Sequence, residues 1–271
     1  MFCTRCGKQH APDVNFCTSC GSPVKPPEPP ATSTAQVASQ KDSPIFLELA
    51  EQGNADAQFK LGVMYAQGQG IPQDYAEAVR WFRQAAKQGN ADAQFDLGIA
   101  YHQGQGVSQD YAEAIRWYCQ AAEQGDARGQ HNLGVMYAQG GGVPQDYTEA
   151  VRWFRQAAEQ GDARSQHNLG VMYAQGQGVP QDYAEAIRWY RQAAEQGNAE
   201  AQFNLGLMYA QGQGVPQDHA EAVRWFRLAA EQGNTDARFN LRVMDAQGQE
   251  VQQENQHQHS DKCNRPGISP S

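Results

Sequence analysis

The chain has 271 residues, of which 40% are apolar and 19% charged, and its net charge is -9. This composition is typical of a soluble protein and disfavours bulk nucleic-acid binding, which relies on positive charge. No apolar run approaches the roughly 20 residues that a membrane-spanning helix requires. The N-terminus MFCTRCGKQH lacks a basic start followed by an apolar core, so we expect no export signal and a cytoplasmic location.

Two CxxC pairs, CTRC and CTSC, stand within the first twenty residues. Two residues between thiolates allow both sulfurs to turn toward one ion, and the Gly after each pair allows a tight turn beneath them. Four thiolates complete a tetrahedral site with no open position for chemistry, so the pattern predicts a structural metal site. Its predicted ligands are Cys3, Cys6, Cys17 and Cys20.

Two other interpretations of these cysteines stay open. Two disulfides would require an oxidising compartment, which the missing export signal disfavours, and spacing alone does not separate zinc from a rubredoxin-like iron site. Residues 1–24 resemble the zinc ribbons at the N-termini of many bacterial proteins, including the CG after each pair. The resemblance implies bound Zn²⁺, and it names no partner.

Residues 25–43 are rich in Pro and in small and hydroxyl side chains, and they show neither a helical nor a strand period. This composition predicts a flexible linker that tethers the ribbon to the repeats beyond it.

Repeats begin near residue 44. The five tryptophans are each 36 residues apart, at Trp81, Trp117, Trp153, Trp189 and Trp225. Such a period predicts a solenoid of stacked units. In the unit 162–197, Asp162 and Asp182 are placed to cap two helices, and Glu185 completes a capping-box pattern with Asp182. Each unit is therefore predicted to be a helical hairpin.

A glycine recurs in the middle of every first helix, at Gly62, Gly98, Gly134, Gly170 and Gly206. Because a mid-helix Gly costs up to about 1 kcal/mol relative to Ala, we expect a close approach of the second helix at this point. The Ala pairs of the second helices, such as Ala193 and Ala194, predict similarly close contact with the next unit.

The recurring LGVMYAQGQGVPQDYAEAVRWFRQAAEQG and its variants resemble the Sel1-like repeat, a relative of the tetratricopeptide repeat. The resemblance covers residues 44–248 and implies an all-α, right-handed α-solenoid of helical hairpins. It divides into a half-unit 44–53, full units 54–89, 90–125, 126–161, 162–197 and 198–233, and a terminal half-unit 234–248. Arg242 and Asp245 give that last half-unit a polar face expected of a solenoid cap, and residues 249–271 are expected to be disordered.

The family resemblance also implies a non-catalytic protein-interaction scaffold, in which the first helices line a concave groove that binds a peptide or protein. By analogy with tetratricopeptide units, the groove bears Arg128, His131, Arg164 and His167 at its centre, and Phe95 and Phe203 beside them. We expect the arginines to bind an acidic or C-terminal carboxylate and the phenyl rings to contact apolar side chains.

Both arginines lie in the first turn of a helix, where the helix dipole disfavours a cation. Such a conflict is sometimes functional. Alternatively, Asp126 and Asp162, which replace Asn at the caps, offset the charge, and units three and four share a recent duplication.

Two other classes of function have less support from the sequence. Some cysteine-rich members of the family are described as β-lactamases, but their units are cross-linked by Cys pairs, whereas Cys119 is the only cysteine of this array. No catalytic Ser–Lys pair, His-x-x-x-His motif or phosphate loop is found, so we expect no enzyme. A nucleic-acid role of the ribbon, with the repeats recruiting partners, has weak support from Arg5, Lys8 and Lys25.

Overall fold

The structure, a computed structural model, describes residues 45–246. The predicted zinc ribbon (1–24), linker (25–43) and disordered tail (249–271) lie outside these residues. Over residues 45–246 all regular structure is helical, and no strand occurs. The helices are α1 (45–51), α2 (Ala55–Gln67), α3 (Tyr75–Lys87), α4 (Ala91–Gln103), α5 (Tyr111–Glu123), α6 (Ala127–Gln139), α7 (Tyr147–Glu159), α8 (Ala163–Gln175), α9 (Tyr183–Glu195), α10 (Ala199–Gln211), α11 (His219–Glu231) and α12 (235–246).

The chain divides into two compact units, with the division between Trp81 and Phe82 inside α3. The core of the first unit consists of Ala50, Ala57, Leu61 and Trp81, with Phe46 and Tyr65 packed at its edge.

In the second unit, helical hairpins stack in sequence order. Helix α6, for example, packs against α5 of the preceding hairpin and α7 of its own. The core between these three helices contains Tyr118, Leu133 and Trp153, none of which is more than 8% exposed. Trp153 thus packs α6 against the hairpin before it, and Trp189 and Trp225 do the same for α8 and α10. The predicted all-α solenoid of hairpins is confirmed.

The helix boundaries follow from local chemistry. The Asp162 carboxylate accepts the Ser165 N–H and begins α8, and Gly176 ends that helix in the left-handed conformation, with φ of 69°. The predicted cap of α9 is also present, since Asp182 accepts the backbone N–H groups of Ala184 and Glu185.

The reciprocal half of the predicted capping box is absent. The Glu185 carboxylate pairs with Arg188 at 2.7 Å instead of returning to the Asp182 N–H. That N–H donates to the Tyr173 carbonyl, because the loop brings the start of α9 against the end of α8. The loop therefore takes over the role that Glu185 was expected to play.

The mid-helix glycines are explained by close packing, as predicted. A Cβ added to Gly170 would lie 2.6 Å from ring carbons of Tyr190, and one added to Gly134 would lie 2.5 Å from the Phe154 ring. No real side chain tolerates such distances, so the ring of the second helix requires a Gly opposite it.

A series of buried glutamines links the hairpins. Gln130, 4% exposed, donates through Nε2 to the Ala122 carbonyl of the preceding hairpin at 3.2 Å. Its Oε1 accepts a 2.7 Å hydrogen bond from Gln160, at the end of its own hairpin. Equivalent bonds join Gln94 with Gln124, Gln166 with Gln196 and Gln202 with Gln232. These bonds satisfy polar groups that would otherwise be buried unpaired, and they fix the register of neighbouring hairpins.

Within residues 45–246, no second helix follows α12, the last helix of this range. Phe239 is consequently 66% exposed. Arg238 replaces the buried Gln of the other units and donates to the Ala230 carbonyl at 3.2 Å. Arg242 occupies the place of the mid-helix Gly, and within residues 45–246 there is no second helix after α12 whose ring would require a Gly there. Within residues 45–246, no helix has the length and apolar character needed to cross a membrane.

Candidate functional site

The first helices of the second unit share one partly exposed face, here called the first-helix face. It has three parallel rows, because positions i, i+4 and i+7 lie on one side of a helix. The charged row is Asp92, Arg128, Arg164, Glu200 and Asp236; the amide row is Asp96, Asn132, Asn168, Asn204 and Asn240; the aliphatic row is Ile99, Val135, Val171, Leu207 and Val243. None of these side chains belongs to a fully buried residue.

The four predicted ring side chains pack inward, against the second helix of their own hairpin. The ring centroids lie 6.0 Å apart for Phe95 and Tyr118, and 5.9 Å apart for His131 and Phe154. His167 meets Tyr190 at 5.9 Å, and Phe203 meets Phe226 at 5.8 Å. Histidine thus replaces phenylalanine in the same packing position, and these rings support the first-helix face from below.

Arg128 is held by two carboxylates. Its guanidinium forms ion pairs with Asp126, the cap of its own helix, and with Asp92 of the preceding first helix. It also lies over the Phe95 ring, 4.4 Å from the centroid. Hydrogen bonding to Asp126 raises the pKa of Arg128. Arg128 therefore joins two hairpins, and the carboxylates of Asp92 and Asp126 neutralise its charge.

Arg164 is more open. It pairs with its cap Asp162 at 3.1 Å, while 55% of its side chain is exposed. The residue one unit earlier is Arg128 rather than an acid, so the bridge that Arg128 makes to Asp92 has no counterpart at Arg164. The cap offsets part of its charge, as the alternative interpretation proposed, but the guanidinium stays accessible from the first-helix face.

His131 forms a polar contact with the next hairpin. Its Nδ1 lies 2.8 Å from the Oγ of Ser165, which is fully buried, and 3.4 Å from the Asp162 carboxylate. Burial, with a smaller contribution from the nearby Arg164 charge, lowers the pKa of His131 to about 4. The other described units have Ala or Gly where Ser165 stands, so the His and the Ser form a matched pair between hairpins.

His167 has a different partner. The Nδ2 of Asn204, on the next first helix, donates to its Nε2 at 3.0 Å. Burial lowers the pKa of His167 as well. A neutral ring with a free lone pair at Nε2 fits this bond, so His167 orients a side chain of the amide row.

Asp96 is a feature of this face that sequence reasoning missed. It stands where the next four first helices have Asn. Burial raises the pKa of Asp96 to about 6, although the Arg128 charge acts in the opposite direction. The sequence does contain an indication of this difference, since Asp96 is a charged residue at a position where the later units have an amide side chain.

These contacts do not form a hydrolytic centre. Asp162 and Ser165 both approach Nδ1 of His131, whereas a catalytic triad needs the acid and the nucleophile on opposite ring nitrogens. Burial raises the pKa of the Cys119 thiol, which opposes thiolate formation. Among residues 45–246 no group of three or more His, Cys, Asp or Glu side chains is placed to hold a metal, and the four ribbon cysteines lie outside this range.

Comparison with known proteins agrees with this architecture. The Sel1 repeat model matches residues 55–90, 91–126, 127–162, 163–198 and 199–234, and a zinc-ribbon domain model matches residues 2–24. No curated protein sequence matches this protein.

Two solved structures are similar. One is c5321 of Escherichia coli, described as a protective antigen of uropathogenic strains with an SLR fold; identity is 42% over 74% of this chain, with a TM-score of 0.72. This match spans 43% of the length of the E. coli protein. The other is a Sel1 repeat protein from Oxalobacter formigenes, 38% identical over 74% of this chain and 82% of that protein, with a TM-score of 0.69. With five repeat matches and this fold, the chain belongs to the Sel1 repeat family.

Proposed function

We propose that this protein is a non-catalytic interaction scaffold whose first-helix face binds a polypeptide segment carrying a carboxylate. Sel1 repeat proteins are generally protein-interaction scaffolds, which supports the class of function. The observation that carries the proposal is the position of Arg164, which stands at the centre of the charged row; its side chain is about half exposed, and among the described residues it forms an ion pair with Asp162 alone.

The six predicted binding residues take different parts in this proposal. Arg164 contacts the carboxylate directly, and Arg128 adds a second charge that is already shared with Asp92 and Asp126. Phe95, His131, His167 and Phe203 shape the surface from below, because their rings pack on the second helices. The partner's apolar side chains then meet the aliphatic row rather than these rings.

A peptide selection tests this proposal. Full-length protein is used to select binders from a display library of linear 12-residue peptides, and the affinities of the best binders are measured by calorimetry. A hydrogen bond to a charged group is worth about 1.5–3 kcal/mol, so Arg164→Ala should weaken binding by about tenfold or more. Arg227→Ala, which removes an exposed guanidinium from the second helix α11, should leave the affinity unchanged.

Two results would contradict the proposal. Equal losses for Arg164→Ala and Arg227→Ala would mean that only net charge matters. A strong effect of Gln192→Ala would instead place the binding surface on the second helices, where Gln192 lines a shallow groove together with Arg188 and Arg191.

We further propose that Cys3, Cys6, Cys17 and Cys20 hold one structural zinc ion, as the matched zinc-ribbon model and the four-thiolate donor set support. Elemental analysis of the purified full-length protein should find one zinc per molecule. The fourfold Cys→Ser variant should contain none. Iron in place of zinc, or no metal in the parent protein, would refute this assignment.

A further inference from the structure

Helices α1 and α12 are each half of a hairpin. Phe46 on α1 lies at the position of the second-helix ring residues, such as Phe154 and Phe226, so α1 corresponds to the end of a second helix. Phe239 on α12 lies at the position of Phe203, so α12 corresponds to a first helix. Between them, the two helices therefore have the parts of one complete hairpin.

The sequence on either side does not contain the missing halves. Residues 19–31, one period before α2, include five prolines, which the interior of a helix does not tolerate. Asp261 and Lys262 stand one period after Trp225 and Phe226, where another second helix would need apolar side chains. The sequence therefore predicts no hairpin partner for α1 or α12 within the same chain.

Apolar side chains are exposed on both half-hairpins. On α1, Ile45 is 58% exposed and Leu49 is 39% exposed, and on α12 Phe239 is 66% exposed. In the preceding complete hairpin, Phe203, the counterpart of Phe239, packs against the Phe226 ring with 5.8 Å between the ring centroids. Helix α12 thus keeps the phenyl ring of a hairpin contact, while most of that ring lies open to solvent.

Two arginines on α12 stand at positions that contact the second helix in a complete hairpin. Arg242 replaces the mid-helix Gly, and a Cβ added to Gly206, one unit earlier, would lie 2.7 Å from the Phe226 ring. Arg238 stands in the place of Gln202, whose Oε1 accepts a 2.7 Å hydrogen bond from the end of its own hairpin, whereas a guanidinium has no acceptor. A second helix placed on α12 would therefore clash with one arginine, lose a hydrogen bond at the other and bury two charges without paired carboxylates, which is costly.

We propose that α1 and α12 are matching surfaces through which copies of this chain could join, and that Arg238 and Arg242 keep the copies apart. In the joined arrangement, α1 of one copy serves as the second helix over α12 of another. Phe46 then lies opposite position 242 and Gln52 opposite position 238, while Ile45, in the place of the tryptophan, packs on the preceding hairpin. Such a contact is heterologous and continues from copy to copy, so the two arginines prevent open-ended assembly. This inference is independent of the proposed binding on the first-helix face.

Acidic residues on α1 do not compensate the two charges. Glu48 and Glu51 correspond to Gln192 and Glu195 on α9. Those two side chains line a groove between α9 and the loop of the next hairpin, so they face away from the contact with their own first helix. In the joined arrangement, no carboxylate of α1 therefore lies opposite the arginines of α12.

The oligomeric state of the full-length protein tests the inference. Size-exclusion chromatography with light scattering should give the parent protein the mass of one chain, 29.8 kDa, at every concentration loaded. The double variant Arg238→Gln, Arg242→Gly has the residues of a complete hairpin at both positions, so its mass should rise with concentration and pass that of two chains. Removing the two charges should strengthen association by about a hundredfold or more. A double variant with the same mass profile as the parent would overturn the inference.

Further variants show whether the association uses the hairpin contact. With Arg242→Ala in place of Arg242→Gly, association should be about tenfold weaker or less detectable still, because the added Cβ would meet the Phe46 ring. Adding Ile45→Glu to the associating double variant should return it to the mass of one chain, whereas Gln139→Glu, the same charge at an exposed site on α6, should not. Melting temperatures identify any variant that is unfolded. Equal association of the Gly and Ala versions, or association that survives Ile45→Glu, would mean unspecific apolar contact and would contradict the inference.

Discussion

Replacing Asp96 by Asn should stabilise the protein at neutral pH. The change is nearly isosteric and installs the residue that the next four first helices have at this position. Burial raises the pKa of Asp96 from its ordinary 3.8 to about 6, so the folded protein holds this proton more tightly than the unfolded state does. Ionising Asp96 therefore costs stability.

The size and the pH range of the effect follow from this shift. Below about pH 3.8 the Asp96 carboxyl is protonated in both the folded and the unfolded state, so the variant and the parent protein should have the same stability. Between pH 3.8 and 6 the unfolded state loses its proton first, so stability falls as pH rises, and above pH 6 the full cost is present. A shift of two pKa units corresponds to a loss of about 3 kcal/mol in the free energy of unfolding. Solvent screens a half-buried group, so we expect Asp96→Asn to recover about 1–3 kcal/mol.

The assay is urea unfolding followed by tryptophan fluorescence, since every tryptophan lies in the repeats. At pH 7.5 we expect Asp96→Asn to raise the unfolding midpoint, and at pH 3.5 we expect no difference from the parent. Asp245→Asn, at an exposed carboxylate on α12, is the control and should shift neither midpoint. A gain of equal size at both pH values would refute the electrostatic reasoning, and so would a loss at pH 7.5.

Three further changes test the packing. His131→Phe should flatten the pH profile, because the parent loses stability as pH falls from 6.5 toward 4, where the unfolded state accepts a proton at this histidine and the buried imidazole of the folded state does not; an unchanged slope would contradict this. Gly170→Ala should lower the free energy of unfolding by about 1–3 kcal/mol, although Ala has the better helix propensity, because the added Cβ would lie 2.6 Å from the Tyr190 ring. A higher melting temperature for this variant would be inconsistent with that contact. Gln130→Leu should lower the free energy of unfolding by about 1–3 kcal/mol, because it removes the buried bond to the Ala122 carbonyl and the bond from Gln160, whereas the exposed Gln139→Leu should be neutral; equal effects would show that the buried link is unimportant.

Local features were predictable from the sequence. The caps at Asp162 and Asp182 act on residues two or three positions away, and the rings opposite Gly134 and Gly170 recur in every unit. Such features depend on a few neighbouring residues and on the period, both of which are visible in one unit.

Contacts between hairpins were harder to predict. The bond between His131 and Ser165 joins residues 34 apart, and the two differ from the repeat pattern in separate units. The buried Gln130 was overlooked because a repeated Gln is usually a surface residue, although its recurrence together with Gln160 was a usable signal. For Arg128, the second carboxylate, Asp92, is likewise supplied by the preceding unit.

The most direct test of the binding surface is site-specific photo-crosslinking. A benzophenone side chain replaces the exposed Gln175 at the end of α8 in one variant, and Gln192 on α9 in another. Each full-length variant is irradiated with a peptide selected by the parent protein. We predict an adduct from position 175 and none from position 192. An adduct from position 192 alone would contradict the central claim that the first helices form the binding face.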